Sequence, residues 1–264
     1  MLHGMCRYHK RAPLVGALLF CALLTAQAAG AQECTADRID ERAVVEAVFD
    51  GDTIRLTDRR IVRFIAINTP EQAHSGQPAE PLAEQATQAL RELLPVGSTV
   101  GLRFDTQRQD HHRRTLAHVY TEQGINLSAA LIEQGYGFAI VVAPNTWQVD
   151  CYFRAERQAR AARRGIWSHA YYKAKPAATL PSETRGFVRI SGRVTDTGKS
   201  RKNIWLDMGT QIALKIPRTH LQQFADQPPE NLSGRDIIAR GWVSFYNDKL
   251  RMTVSHPAML EIQD

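Results

Sequence analysis

The chain has 264 residues, with 33 lysines and arginines against 27 acidic residues, for a formal charge of +6. Hydrophobic residues make up 44% and charged residues 23%, ordinary globular values that exclude a disordered, collagen-like or coiled-coil chain. The basic balance admits a polyanionic partner, either nucleic acid or an anionic membrane.

Residues 1–31 read as an address. Arg7, Lys10 and Arg11 precede an apolar run, Leu14–Leu24, and the small-residue ending Ala29-Gly30-Ala31, which is the pattern of a secretory signal peptide. The run is shorter than the ~20 residues a bilayer span needs. The mature chain is therefore expected to be exported, periplasmic or extracellular, with no membrane insertion after signal cleavage. Loss of those three cations leaves a net charge of +3. Cys6 and Cys21 leave with the segment, and Cys34 and Cys151 remain. Two cysteines in an oxidising compartment predict one disulfide, Cys34–Cys151; a cytosolic chain would keep both as free thiols.

From Arg42 the pattern is strand, turn, strand, strand. Val44 to Val48 is β-branched, Asp50-Gly51 signals a turn, Ile54 and Leu56 alternate with polar residues, and Ile61–Ile67 predicts a third strand. Residues 70–81 read as a loop. Leu82, Ala86, Leu90 and Leu93 recur at helical spacing. Val100–Phe104 and Thr115–Tyr120 predict two more strands. Leu127 to Leu131 forms a short helix ended by Gly135, and Tyr152 to Ala162 a last one ended by Gly165. Five short strands with three helices predict an α+β, mainly β fold, a five-stranded barrel of the oligonucleotide-binding (OB) type, over residues 32–172. Residues 173–185 hold two prolines and little periodicity, and read as a linker. Strands expected at 187–195, 203–208, 211–216, 236–245 and 249–255, with a helix at Pro217–Ala225, predict a second small, OB-like barrel over 186–264.

The chemistry gathers at the ends of the second and third strands. Asp52 starts an otherwise apolar stripe with Ile54 and Leu56. Alternation places Arg63 on one face with Ile65 and Ile67, where a guanidinium is costly unless paired or used. Asn68-Thr69-Pro70-Glu71 follows at once with an amide, a turn and a carboxylate. Each piece alone has a bland reading, as a hairpin turn, a snorkelling arginine or a common loop; their joint spacing points to a site.

These stretches resemble the staphylococcal-nuclease-like (thermonuclease) family. The resemblance runs in order through Val48-Phe49-Asp50-Gly51-Asp52-Thr53, Val62 to Glu71, Asp110 to Tyr120, Asn126-Leu127 and Glu156 to Trp167, covering about residues 40–168. It implies a Ca2+-dependent phosphodiesterase acting on DNA and RNA and leaving 3′-phosphates. In that family the positions of Asp52, Asn68 and the Thr69 carbonyl hold the metal, Arg63 and Arg114 clamp the phosphate, and Glu71 is the proposed general base. Physical chemistry agrees: Ca2+ takes hard oxygen ligands, and arginine forks match phosphate oxygens.

The sequence departs from the family at three places. Asn68 stands where an aspartate is usual, which removes one negative charge and weakens Ca2+ binding. His111-His112-Arg113 replaces a Lys-Tyr-Gly-like stretch, so that His112 and Arg113 become candidate nucleic-acid contacts. Ile140 and Val142 stand where tyrosines help to hold a nucleotide. The last helix carries Arg154, Arg157, Arg160, Arg163 and Arg164, either a phosphate-tracking stripe or a solvated face. Trp205 and Trp242 are candidates to stack on single-stranded bases, or to pack in a core. The expected function is an exported Ca2+-dependent nuclease of DNA and RNA, with single strands favoured. The alternatives are a catalytically weak nucleic-acid-binding protein that keeps the fold, and a phosphodiesterase for smaller nucleotides.

Overall fold

The structure, a computed structural model, describes Met1, residues 34–74 and residues 76–263. Beyond Met1, the expected signal peptide lies outside the described residues. No helix among the described residues is long and apolar enough to cross a membrane.

The first half comprises β1 (Glu41–Asp50), β2 (Thr53–Leu56), β3 (Ile61–Phe64), β4 (Ile67–Asn68), α1 (Ala83–Leu93), β5 (Thr99–Arg103), β6 (Thr115–Thr121), α2 (Leu127–Glu133), β7 (Phe138–Ala139) and α3 (Val149–Ala161). Five of these strands close a barrel in the order β1-β2-β3-β6-β5, antiparallel throughout except for the β3–β6 pair. Alternation explains the closure. Ile54, Leu56, Val62, Val100, Leu102 and Val119 are all buried in one core, each contributing about 1.5–3 kcal/mol of transfer free energy.

The third strand is shorter than expected. Ala66 takes a left-handed φ of +71°, a conformation that costs a non-glycine residue about 1–3 kcal/mol. The chain therefore leaves the barrel after Phe64, and Ile67-Asn68 pairs instead with Phe138-Ala139. The expectation that Arg63 shares a strand face with Ile65 and Ile67 is thereby corrected: the break turns both isoleucines into the core and leaves Arg63 at its edge.

Two glycines matter by close approach. A Cβ on Gly165 would meet the Gly135 carbonyl oxygen at 2.2 Å, and one on Gly135 would meet the Arg164 carbonyl oxygen at 2.4 Å. The ends of α2 and α3 touch through bare backbone there, with the Ile166 N–H donating to the Gly135 carbonyl at 2.9 Å. Cys34 and Cys151 are disulfide-bonded, their Cα atoms 5.7 Å apart, which ties the start of the described chain to α3. Beneath that bond the Asn126 amide donates to the hydroxyls of Tyr120 and Tyr152, and the Tyr152 hydroxyl meets His118 Nδ1 at 2.7 Å.

The second half adds β8 (Lys175–Pro176), β9 (Gly186–Arg193), β10 (Asp196–Lys199), β11 (Asn203–Met208), β12 (Ile212–Pro217), β13 (Asp236–Tyr246), β14 (Lys249–Thr253) and β15 (Leu260–Gln263). Their sheet runs β10-β11-β12-β14-β13-β9-β8, with β15 also on β13. Only Val194 and Thr195 separate β9 from β10. The Val194 N–H bonds toward β13, at Arg235, and the Thr195 N–H toward β11, at Asp207. β9 and β10 are thus one bent strand that meets both ends of the path, and the sheet curls back on itself. The helix expected at 217–225 is a 3-10 stretch, Arg218–Phe224. Lys175 and Pro176 pair with Ile190 and Ser191, so part of the segment read as a linker joins the second sheet.

The halves share a buried ionic clasp. Arg240, 3% exposed, meets the Glu156 carboxylate of α3 at 2.6 Å, and Glu156 is equally buried. Glu156 also accepts the Ala139 N–H at 2.9 Å. Glu261 takes Arg240 on one side and Arg160 on the other, the latter at 2.8 Å. Burial alone would raise the Glu261 carboxyl, but Arg240, Arg160 and Arg189 outweigh it and pull it down to about 2. Phe138, Ile140, Val141 and Ile166 of the first half belong to the apolar core of the second.

Candidate active site

The site is built on the β1–β2 hairpin and the segment after β3. The turn Asp50-Gly51-Asp52 has room only for glycine at its centre, since a Cβ there would lie 2.8 Å from the Thr69 methyl and 2.9 Å from Ala86. That approach seats Thr69 directly on Asp52. Asp52 is 4% exposed. Its Oδ2 accepts the Thr69 N–H at 2.9 Å and the Thr69 hydroxyl at 3.0 Å. Its Oδ1 accepts the Thr53 hydroxyl at 3.1 Å.

Arg63 completes the cluster. One guanidinium nitrogen donates to the carbonyls of Phe64 and Ile67, both at 2.9 Å. The other lies 3.0 Å from Asp52 Oδ2 and donates to Asn68 Oδ1 at 3.2 Å. The left-handed turn at Ala66 makes this possible by folding the chain so that the Ile67 carbonyl and Asn68, three and four residues beyond the end of β3, return to the arginine. Arg63, Asp52, Asn68 and Thr69 are therefore brought together as one hydrogen-bonded unit.

Glu71 stands beside this unit at the mouth of a loop. Its N–H donates to Glu80 Oε2 at 3.0 Å, and the Glu80 N–H returns to the Glu71 carbonyl at 2.9 Å. Desolvation by the surrounding protein, and then the negative charge of Asp52, raise the Glu71 carboxyl above the usual range. Asp50 is raised further, to about 7, by burial first and by Asp52 second. The sequence reading treated Asp50 only as part of a turn. The two carboxylates flanking one glycine were the available signal.

Arg114 is not in contact with that unit in this state. Its Nε donates to Asp110 Oδ2 at 2.7 Å and its N–H to Asp110 Oδ1 at 2.9 Å. Arg114 lies just before β6, two residues from Leu116, the register partner of Arg63, so strand alternation carried back one residue would put both side chains on one side of the sheet. His112 and Arg113 lie on the exposed turn before β6. His112 packs on His111 with centroids 3.8 Å apart, and Arg113 takes the left-handed φ of +64° that the turn requires. Ile140 is buried and Val142 is exposed. The helix-arginine stripe is partly spent on structure: Arg160 pairs with Glu261, and Arg164 donates to the Glu133 carbonyl at 2.9 Å.

The donor chemistry fits a hard cation. The atoms offered are oxygens, from the carboxylates of Asp50 and Asp52, the Asn68 amide and the Thr69 carbonyl. Asp50 is driven toward neutrality by burial first and by the neighbouring Asp52 second, a cost that a bound cation relieves. Among the described residues no group of three or more His, Cys, Asp or Glu side chains forms a cage. An ion held here would rely on amide, backbone and water oxygens as well as carboxylate, as hard divalent cations do.

Comparison with known proteins points the same way. Residues 61–169 match the family model described as staphylococcal nuclease homologue. The chain is 32% identical over 133 residues to the SPbeta prophage-derived endonuclease YokF of Bacillus subtilis, covering 48% of this chain and 44% of the relative. It is 29% identical over 153 residues to the endonuclease YncB of the same organism, covering 56% of this chain and 72% of the relative. Against the thermonuclease of Staphylococcus hyicus the identity is 29% over 126 residues, covering 46% of this chain and 73% of the relative. The chain thus spans less than half of YokF and nearly three quarters of the other two. The family match opens at β3, and the structure supplies β1, β2 and the Asp52 hairpin that close its barrel. Through this N-terminal half, the chain is similar to the staphylococcal nuclease homologues.

Proposed function

We propose that the protein is an exported nuclease that hydrolyses phosphodiester bonds of DNA and RNA with Ca2+, takes single strands in preference and leaves 3′-phosphates. The observation that carries this reading is the placement of Arg63, 3.0 Å from Asp52 and 3.2 Å from Asn68. A guanidinium held among hard oxygen donors presents both elements that an anionic phosphodiester needs. When bound, Ca2+ supplies charge neutralisation of the phosphate, and the oxygens of Asp52, Asn68 and Thr69 would hold it.

The residues themselves do the rest. Arg63 fixes the phosphate through paired hydrogen bonds that strengthen as charge builds on the oxygens in the transition state. Arg114 joins from the same face by exchanging Asp110 for a phosphate oxygen. Glu71, whose proton affinity is raised, orients the attacking water and takes its proton. Export is supported by the basic, apolar and small-residue order of residues 1–31, and agrees with the Cys34–Cys151 bond.

The test is cleavage of single-stranded DNA and of RNA by the purified protein with Ca2+, with chelator, and as Glu71→Gln. Cleavage is expected only with Ca2+, and the variant is expected to lose about 10²–10⁴-fold. Binding without cleavage in all arms would instead establish the second reading, a weak nucleic-acid-binding protein. The pairing of Arg114 with Asp110 and the asparagine at position 68 are what favour that reading.

A further inference from the structure

The outer face of the second barrel carries side chains that phosphodiester chemistry does not use. Register places Trp242 opposite Phe187 and Arg251 opposite Ser244. Alternation along β13 puts Trp242, Ser244 and Tyr246 on one side, while Val243, Leu250 and Met252 fill the core. Trp242 is 42% exposed and Tyr246 59%. The Arg251 guanidinium lies between two rings, 4.5 Å from the centroid of Tyr246 and 5.1 Å from that of Trp205. On this face Asp207 pairs with Lys249 at 2.6 Å, while its register partner Asp196 stays exposed at the edge strand β10. Residues 176–264 also carry all of the net positive charge that remains beyond residue 31, 12 basic against 9 acidic residues.

This face connects to the site. Phe187 lies 5.1 Å from Trp242 on one side and 5.5 Å from Phe138 on the other. Phe138 is the strand partner of Asn68. Beside that contact a narrow cleft opens between the two halves, with Asn68 and Thr69 at one wall and Tyr171, Lys175 and Phe187 among the others. Lys175 stands 5.7 Å from the Tyr171 ring within it.

We propose that the outer face of the second barrel is a binding track for a single-stranded polynucleotide whose scissile phosphate lies at Arg63. Bases stack on Trp242 and Tyr246, Arg251 meets the backbone between them, and the strand reaches the site past Phe187 and Lys175. Exposed rings interleaved with cations suit unpaired bases, whose faces are free, rather than a duplex, whose faces are not. The position of the scissile phosphate rests on the nuclease reading; the track itself does not.

The experiment uses the full protein and a labelled 20-nucleotide single strand, with binding read by anisotropy in chelator and cleavage read with Ca2+. Trp242→Ala with Tyr246→Ala is expected to weaken binding of the single strand about 10- to 100-fold and to raise KM for it in step. kcat/KM for a dinucleotide, too short to reach the track, is expected to stay unchanged. Trp242→Ala alone is expected to weaken binding less than the double variant does, and Trp242→Phe, which keeps a stacking ring, to stay near the wild type. Arg251→Ala is expected to lower the slope of log affinity against log salt by about one. Unchanged binding in the double variant overturns the proposal, as does an equal loss on a duplex of the same sequence. A wild-type protein that binds the strand through these residues but cleaves nothing upholds the track and sinks the nuclease reading.

Discussion

The two barrels share a path and differ in chemistry. In each, the first strand pairs with the second and the second with the third, the third lies parallel to the fifth, and the fourth returns to the first. In the first barrel the hairpin after the opening strand is Asp50-Gly51-Asp52; in the second, the residues between β10 and β11 are Ser200-Arg201-Lys202. Two carboxylates in the first barrel are thus matched by two cations at the same topological point of the second, which gives that edge the opposite charge. What the molecule does at each place follows from a few side chains grafted on a common frame.

That contrast breaks most sharply at Arg63. Arg63→Ala leaves Asp52 and Asn68 without their shared donor, and kcat on single-stranded DNA is expected to fall about 10²–10³-fold, the loss typical of one transition-state donor. A smaller loss would mean that Arg114 alone suffices and that the cluster around Asp52 is mainly structural.

The joint between the barrels comes next. Arg240→Met strips the cation from two buried or half-buried carboxylates, and is expected to cost about 3–5 kcal/mol in denaturant unfolding. The same clasp sets an acid limit. The Glu261 carboxyl lies below its ordinary value in the folded protein, so the stability it lends is present above about pH 4.5 and is lost as pH falls toward its folded value of about 2. A melting-temperature profile should bend downward in that window in the wild type, and less in Glu261→Gln.

The disulfide separates the barrels in a different way, since it belongs to the first alone. Its partners are 117 residues apart, and Cys34→Ser with Cys151→Ser is expected to cost about 2–5 kcal/mol without altering strand affinity at the outer face of the second barrel.

The mildest change sharpens the site itself. Asn68→Asp restores a negative charge among the oxygens and is expected to lower the Ca2+ concentration for half-maximal activity about tenfold, as one added ligand charge would. No shift would mean that this side chain serves Arg63 and not an ion.

Much of this was legible in the residues alone. The strands at Thr53–Leu56, Thr99–Arg103 and Asn203–Met208 follow from alternation, and α1 from its apolar spacing. Asp52, Arg63 and Asn68 were legible because the chemistry lies within seventeen residues of one ordered motif. The break at Ala66 was not, because alanine carries no turn signal and the left-handed φ is imposed from outside by the pairing with Phe138-Ala139. Nor was the raised Asp50, whose shift comes from burial that only the closed barrel creates. Arg240 and Glu156 are 84 residues apart and look like surface charges until two cores meet over them. Arg160, part of an apparent phosphate stripe, was legible as a cation but not as the partner of Glu261.

The clasp has one more consequence, for how the molecule comes apart. Because Phe138, Ile140 and Ile166 sit in the second core, and Lys175-Pro176 adds a strand to the second sheet, a cut between the halves would divide one apolar core. A chain cut after residue 172 would expose those apolar side chains and leave Glu156 without its cation. The two barrels should therefore melt in a single cooperative transition, with calorimetric and van't Hoff enthalpies in agreement, rather than as two independent units that happen to be tethered.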